Sequence, residues 1–207
     1  FLANVELDIG DQAPGSLQVK GTLSAPVIFR GFGDERWKGI DFGAQAQDSE
    51  LSGLHLSHVR ENGGSTISTH QDSRLTLRIE DSILDEGDQD ALVVRGSVRL
   101  ALQNTTIKRH QGRARDLRNA SELVAPMEGC VLEQNNESIH INNGATLTAN
   151  PVRARLQGRT LGMLGSTLQI RNNGSDAIVF EQNVLVHTDV TVHNLGVPID
   201  IKGSLFV

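Results

Sequence analysis

The chain has a single cysteine, Cys130, no tyrosine, one tryptophan and five prolines in 207 residues. One cysteine excludes an internal disulfide framework and a cysteine-rich zinc site. Aromatic residues amount to 3%, so any core must be built from Val, Ile and Leu. No apolar run approaches the roughly 20 residues that a spanning helix needs, and no membrane span is expected. Bases are outnumbered by acids, with a formal net charge of −6. That removes the general electrostatic reason to expect a nucleic acid partner.

Hydrophobic residues reach 38% and charged residues 21%, a balance that predicts one packed domain over residues 1–207 rather than a disordered chain. The 21 glycines call for many turns. Short apolar-alternating runs recur along the chain, separated by Gly, Asn, Asp and Ser. Three stretches align with one another: DALVVRGSVRLALQNTTIKRHQG from Asp90, ESIHINNGATLTANPVRARLQG from Glu137 and DAIVFEQNVLVHTDVTVHNLG from Asp176. A period in the low twenties with short strands marks a solenoid.

The alternation has a period of two residues, as in Leu75, Leu77 and Ile79, or Val98, Leu100 and Leu102, with Val190 and Val192 as a shorter case. Period two means strands with one buried face. Gly or Asn interrupts every candidate helix. Three short strands and three turns per repeat predict an all-β fold, a right-handed parallel β-helix whose coils stack at ~4.8 Å. Asn-rich pairs at 135–136 and 172–174 read as coil corners that tolerate left-handed backbone, with their amides stacked. The same reading covers 62–63 and 142–144. Cys130, between Gly129 and Val131, reads as a small core residue.

The segment GSLQVKGTLSAPVIFRGF, followed by ERWKGIDF and SELSGLHLSHVREN, resembles the repeat of bacterial secreted and surface β-helix proteins of the pectate-lyase-like superfamily. Gly21, Thr22, Pro26, Val27, Phe29, Trp37, Gly39, Ile40, Ser49 and Leu51 carry the likeness, which covers residues 15–62. The resemblance implies the fold and an extracytoplasmic setting, secreted or at the cell surface. It implies no single activity, because the fold hosts lyases, hydrolases, adhesins and spacers. Enzymes of the polygalacturonase-like kind carry Gly-Asp-Asp, Gly-His-Gly and Arg-Ile-Lys motifs. This chain has GDQDAL at 87–92 and lacks the other two. Lyases that use Tyr as acid or base are excluded outright.

Residues 113–136 depart from the repeat, and RARDLRNA at 113–120 reads as a loop insertion. The final SLFV ends in a strand pattern without a polar cap. The expectation is that this end is covered by more chain or by another copy.

Two charge clusters are candidates for chemistry. The run EDSILDEGDQD places Asp81, Asp85, Asp88 and Asp90 in what reads as a turn. These four form a candidate Ca²⁺ site, since calcium takes about six to eight oxygen ligands in irregular geometry. Asp85, Asp88 and Asp90 are also the candidate paired carboxylates of a glycosidase, which sit ~5–9.5 Å apart. The third reading is a solvated turn. The second cluster is basic: residues 1–100 hold 16 acids and 9 bases, whereas 101–171 hold 5 acids and 9 bases. Arg109, Arg113, Arg115, Arg153 and Arg155 are the candidate contacts to a carboxylate, sulfate or phosphate. His55 and His58, three apart on a strand, should face opposite sides, and His140 should face out. No spacing offers zinc ligands.

The leading expectation is a non-catalytic structural or binding rod that offers a charged face to an acidic glycan or a surface protein. One alternative is a carbohydrate-active lyase or hydrolase on an acidic polysaccharide, with calcium as the one cofactor to consider. The other is a self-assembling filament or tip subunit.

Overall fold

The structure, a computed structural model, describes residues 5–60, 65–118, 121–142, 160–186 and 189–207. The strands follow one another around successive coils. The first three coils contain β1 (Leu7–Ile9), β2 (Gln18–Lys20) and β3 (Val27–Arg30); β4 (Ile40–Phe42), β5 (Ser49–Ser52) and β6 (Leu54–Val59); β7 (Ile67–Thr69), β8 (Thr76–Glu80) and β9 (Ile83–Gly87). The next two contain β10 (Leu92–Val94), β11 (Arg99–Gln103) and β12 (Thr106–His110); β13 (Arg113–Arg118), β14 (Glu122–Leu123) and β15 (Val131–Glu133). The last three contain β16 (Glu137–Asn142) and β17 (Gln169–Arg171); β18 (Ser175–Phe180) and β19 (Val184–Leu185); β20 (Ile199–Ile201) and β21 (Leu205–Phe206).

Strands pair in parallel with their counterparts one coil away, at a step of three in the first five coils and of two in the pairs β15–β17, β16–β18 and β18–β20. The first sheet is β1-β4-β7-β10-β13-β16-β18-β20, the second is β2-β5-β8-β11-β14 and the third is β3-β6-β9-β12-β15-β17. Strands β19 and β21 pair separately. The chain is a parallel β-helix, with eight coils among the described residues. Its interior is a stack of aliphatic rows such as Leu51, Ile79 and Leu102, or Leu56, Leu84, Ile107 and Leu132. Among the described residues, helix occurs only at 160–162, and no helix is long and apolar enough to cross a membrane.

Two corners give the coil its bent cross-section. Between the second and third sheets, Gly53, Asp81, Asn104 and Gly129 all take positive φ. A Cβ at Gly53 would lie 2.1 Å from the Gly21 carbonyl carbon, so only glycine fits there. Asn104 Nδ2 donates to Asp81 Oδ1 across coils at 3.2 Å. The residue after each corner turns inward. Ser82 Oγ donates to the Glu80 and Leu51 carbonyls, and Thr105 Oγ1 to those of Gln103 and Ile79. Cys130 Sγ occupies the same place in the next coil, facing the Glu128 and Leu102 carbonyls. Cys130 is therefore a core residue, as its neighbours predicted, and also a member of a hydroxyl ladder.

The corner after the third sheet is built without glycine. His58, Glu86, Arg109, Gln134 and Asn172 in successive coils have φ between 56° and 58°. This left-handed turn reverses the strand parity, so His58 points outward like His55 and the expected opposition of the two histidines is overturned. Val59, His110, Asn135 and Asn173 then point inward. Asn135 Nδ2 donates to Asn173 Oδ1 at 3.0 Å and to the Ile107 carbonyl, the stacked amides the sequence announced. Non-glycine residues pay about 1–2 kcal/mol for αL backbone, and the Gln134 side chain is exposed. Gln134→Gly is expected to raise stability by up to ~1 kcal/mol, because relief of strain outweighs the added freedom of the unfolded chain. Urea melts of the two proteins check this.

The reading of 113–120 as a loop insertion is corrected at 113–118, and residues 119 and 120 lie outside the described residues. Residues 113–118 are β13, followed by β14 and β15, which pair with β11 and β12 of the coil before. The spacing between partners widens one coil later: Leu92, Arg115 and Ile139 are consecutive partners, but Ile139 next pairs with Ile178. Residues 189–198 form no strand, so Val190 and Val192 do not realise their alternation. Leu205, Phe206 and Val207 on the last coil are exposed. The Asn pairs at 62–63 and 143–144 lie outside the described residues.

Candidate functional site

The acidic run does not form a shared site. Asp85 lies on β9, not in a turn, and its Oδ2 accepts from Arg109 Nη2 at 2.6 Å with Lys108 Nζ and His55 Nε2 at 3.9 Å. Burial raises its pKa in spite of those cations. Asp88 pairs with Arg36 Nη1 at 2.8 Å, Asp90 caps the Arg113 amide at 2.7 Å and Asp81 accepts from Asn104. Each carboxylate has a separate structural partner. Among the described residues, no three His, Cys, Asp or Glu side chains are placed to hold a metal ion.

Among the described residues, Arg109, Arg113 and Arg115 do not gather either. Arg109 is spent on Asp85. Arg113 bridges Asp116 Oδ2 at 2.8 Å and Glu137 Oε2 at 3.0 Å. Arg115, expected on the surface, is fully buried on the inner face of β13 between Leu92 and Ile139. This corrects its assignment as an anion contact at the surface. Arg153 and Arg155 lie outside the described residues. On the outer face of the third sheet, Asp85, Lys108, Glu133 and Arg171 alternate in sign from coil to coil. Such a row neutralises itself.

The densest constellation of perturbed groups lies on the outer face of the first sheet. Asp116 and His140 are cross-strand partners on β13 and β16. His140 Nδ1 donates to Asp116 Oδ1 at 3.3 Å, and Nε2 donates to Glu181 Oε1 at 2.8 Å. Glu181 also accepts from Lys202 Nζ at 2.9 Å. Arg118 Nε donates to Asp116 Oδ2 at 2.7 Å. Burial alone would raise the Asp116 pKa, but hydrogen bonds from His140 and Arg118, with the charges of Arg118 and Arg113, hold it at about 2. Burial would lower that of His140, and its two carboxylate partners raise it instead. Beside the network runs a groove of about 240 Å³ whose walls include Arg113, Glu137, His140, Ser175 and Lys202. A bulge in the β16–β18 pairing, where the register shifts between Glu137 and Ile139, adjoins the groove.

Concave sites with perturbed pKa values are the usual place to look for chemistry. Here both ring nitrogens of His140 are occupied, and Asp116 is fully ionised and enclosed. Neither ring nitrogen of His140 is left free to face a ligand. The sequence placed His140 outward but gave no hint of its partners; the available signal was the 24-residue offset from Asp116, one coil.

A second, larger groove of about 470 Å³ crosses the outer face of the second sheet, with Gln18, Glu50, Thr76, Arg78 and Arg99 along it. Its lining offers hydrogen-bond donors and acceptors of both signs. Compared with protein-family models, with curated proteins and with solved structures, the chain finds no match.

Proposed function

We propose that the chain is a non-catalytic binding module of the extracytoplasmic, pectate-lyase-like kind that residues 15–62 resemble. It is a rigid rod that offers an outer sheet face to a glycan or a surface protein. The observation that carries this reading is the internal neutralisation of the charged network around His140, whose imidazolium is held by Asp116 and Glu181. A general acid or base must reach the proton it moves, and both ring nitrogens of His140 face carboxylates of the chain itself. The face that suits a ligand is the second-sheet groove. Its mixed lining favours a hydroxyl-rich, weakly charged chain over a polyanion. Incubation with a panel of polyuronates and neutral polysaccharides is expected to release no reducing or unsaturated sugar. Calorimetry against the same panel should find a binder, weakened about tenfold or more by Arg78→Ala or Glu50→Ala. Release of product would overturn the reading in favour of a carbohydrate-active enzyme. Self-association is a second reading, favoured by the exposed Leu205, Phe206 and Val207; light scattering across concentration tests it.

A further inference from the structure

Arg115 poses a problem that the rod reading does not touch. Its guanidinium is fully buried inside the solenoid. Nη1 points at the Met127 sulfur, 2.8 Å away. Nε and Nη2 are both buried and have no acceptor among the described residues. These two atoms form one edge of the guanidinium, with parallel N–H bonds, the edge that grips a carboxylate or other oxyanion at two points. The nearest acid along the chain, Asp116, sits on the opposite face of β13 and spends its oxygens on Arg113, Arg118 and His140. The Cys130 thiol cannot supply the counter-charge, because burial pushes it up to about 11 and keeps it neutral. An uncompensated charge in an interior of this kind is strongly destabilising, and an arginine does not escape by losing its proton. The neighbouring partners Leu92 and Ile139 are apolar and offer no counter-charge.

We infer that the Nε–Nη2 edge of Arg115 holds one small monovalent anion inside the fifth coil, a halide or a planar oxyanion such as nitrate or formate. The anion neutralises the guanidinium and accepts both free N–H groups. The site faces the core, so the ion is captured as the coils close, and it is structural rather than a surface ligand.

The test uses the whole chain, unfolded and refolded in bromide. Crystals grown from that material should show an anomalous bromide peak against Nε and Nη2 of Arg115; absence of a peak there overturns the proposal. In parallel, melting is followed while chloride replaces a bulky organic anion at constant ionic strength. The native protein is expected to gain about 3–5 °C for each tenfold rise in chloride above the dissociation constant. Arg115→Met should melt higher than the native protein at low chloride and should not respond to it. An equal response of both proteins, or none in the native protein, would mean that the guanidinium holds no ion. The bromide result stands whether or not the variant folds.

Discussion

Asp116→Ala is expected to destabilise the protein by ~3–5 kcal/mol, because it strips the acid from three cations at once. Arg113, Arg118 and His140 all bond this one carboxylate, which is itself fully buried. Arg113 keeps Glu137 and His140 keeps Glu181, so the loss is that of three charge-assisted bonds to one enclosed carboxylate, larger than breaking a single surface pair. The pH dependence has two flanks. Asp116 has its pKa lowered from 3.8 to about 2, so its contribution is present above its unfolded value and is lost as pH falls towards 2. His140 has its pKa raised above 6.5, so its contribution is complete below that value and fades as pH rises through the higher folded value. The network should therefore stabilise most between about pH 4 and pH 6.5. Urea midpoints measured from pH 3 to pH 9 check both flanks. An Asp116→Ala protein whose midpoint still falls above pH 6.5 as steeply as the native one would break the assignment.

The same residues show what the sequence could and could not disclose. Rows such as Leu75, Leu77 and Ile79 are legible because one face is wholly apolar, and period two admits no other reading. The strand at 113–118 was not legible, because RARDLR offers hardly any apolar pattern and looks like solvent-facing loop. It stays in the sheet since Asp116 draws its neighbours Arg113 and Arg118 into pairs on the outer face, while Arg115 takes an inner position that aliphatic side chains fill in adjacent coils. Local composition cannot reveal such a strand; only the register with Leu92 and Ile139 does. The left-handed corner was equally hidden. Asn172 and His58 are of types enriched in αL, but Glu86, Arg109 and Gln134 are not. Their conformation follows from the stacking of each coil on the last. The described members of the charge clusters were hard to place for a related reason. Runs of like charge along the sequence suggested a metal site and an anion patch, yet the coil places opposite charges one repeat apart, where they neutralise one another.

Trp37→Ala should cost a similar amount, ~3–5 kcal/mol, for a different reason. Trp37 is the one tryptophan of the chain and has no exposed surface. Its ring meets Phe29 edge-on, with centroids 6.4 Å apart, and Nε1 donates to the Ser57 carbonyl at 2.9 Å. Its backbone bridges to Val59, through bonds to the His58 and Arg60 backbone. The residue thus fastens the segment joining β3 and β4 to the end of β6, and Arg36 beside it reaches Asp88 in the third coil. Alanine leaves a large void and orphans the Ser57 carbonyl. Phenylalanine refills most of the void but cannot donate, so Trp37→Phe should lose only about 1–2 kcal/mol, and the difference separates packing from the hydrogen bond. In a solenoid each coil leans chiefly on its neighbours. Hydrogen exchange after Trp37→Ala should therefore quicken in β3, β4 and β6 and leave β16 and β18 protected, whereas Asp116→Ala should do the reverse. A loss of protection spread evenly over all coils in either variant would show that the rod unfolds as one unit, and that neither network is local.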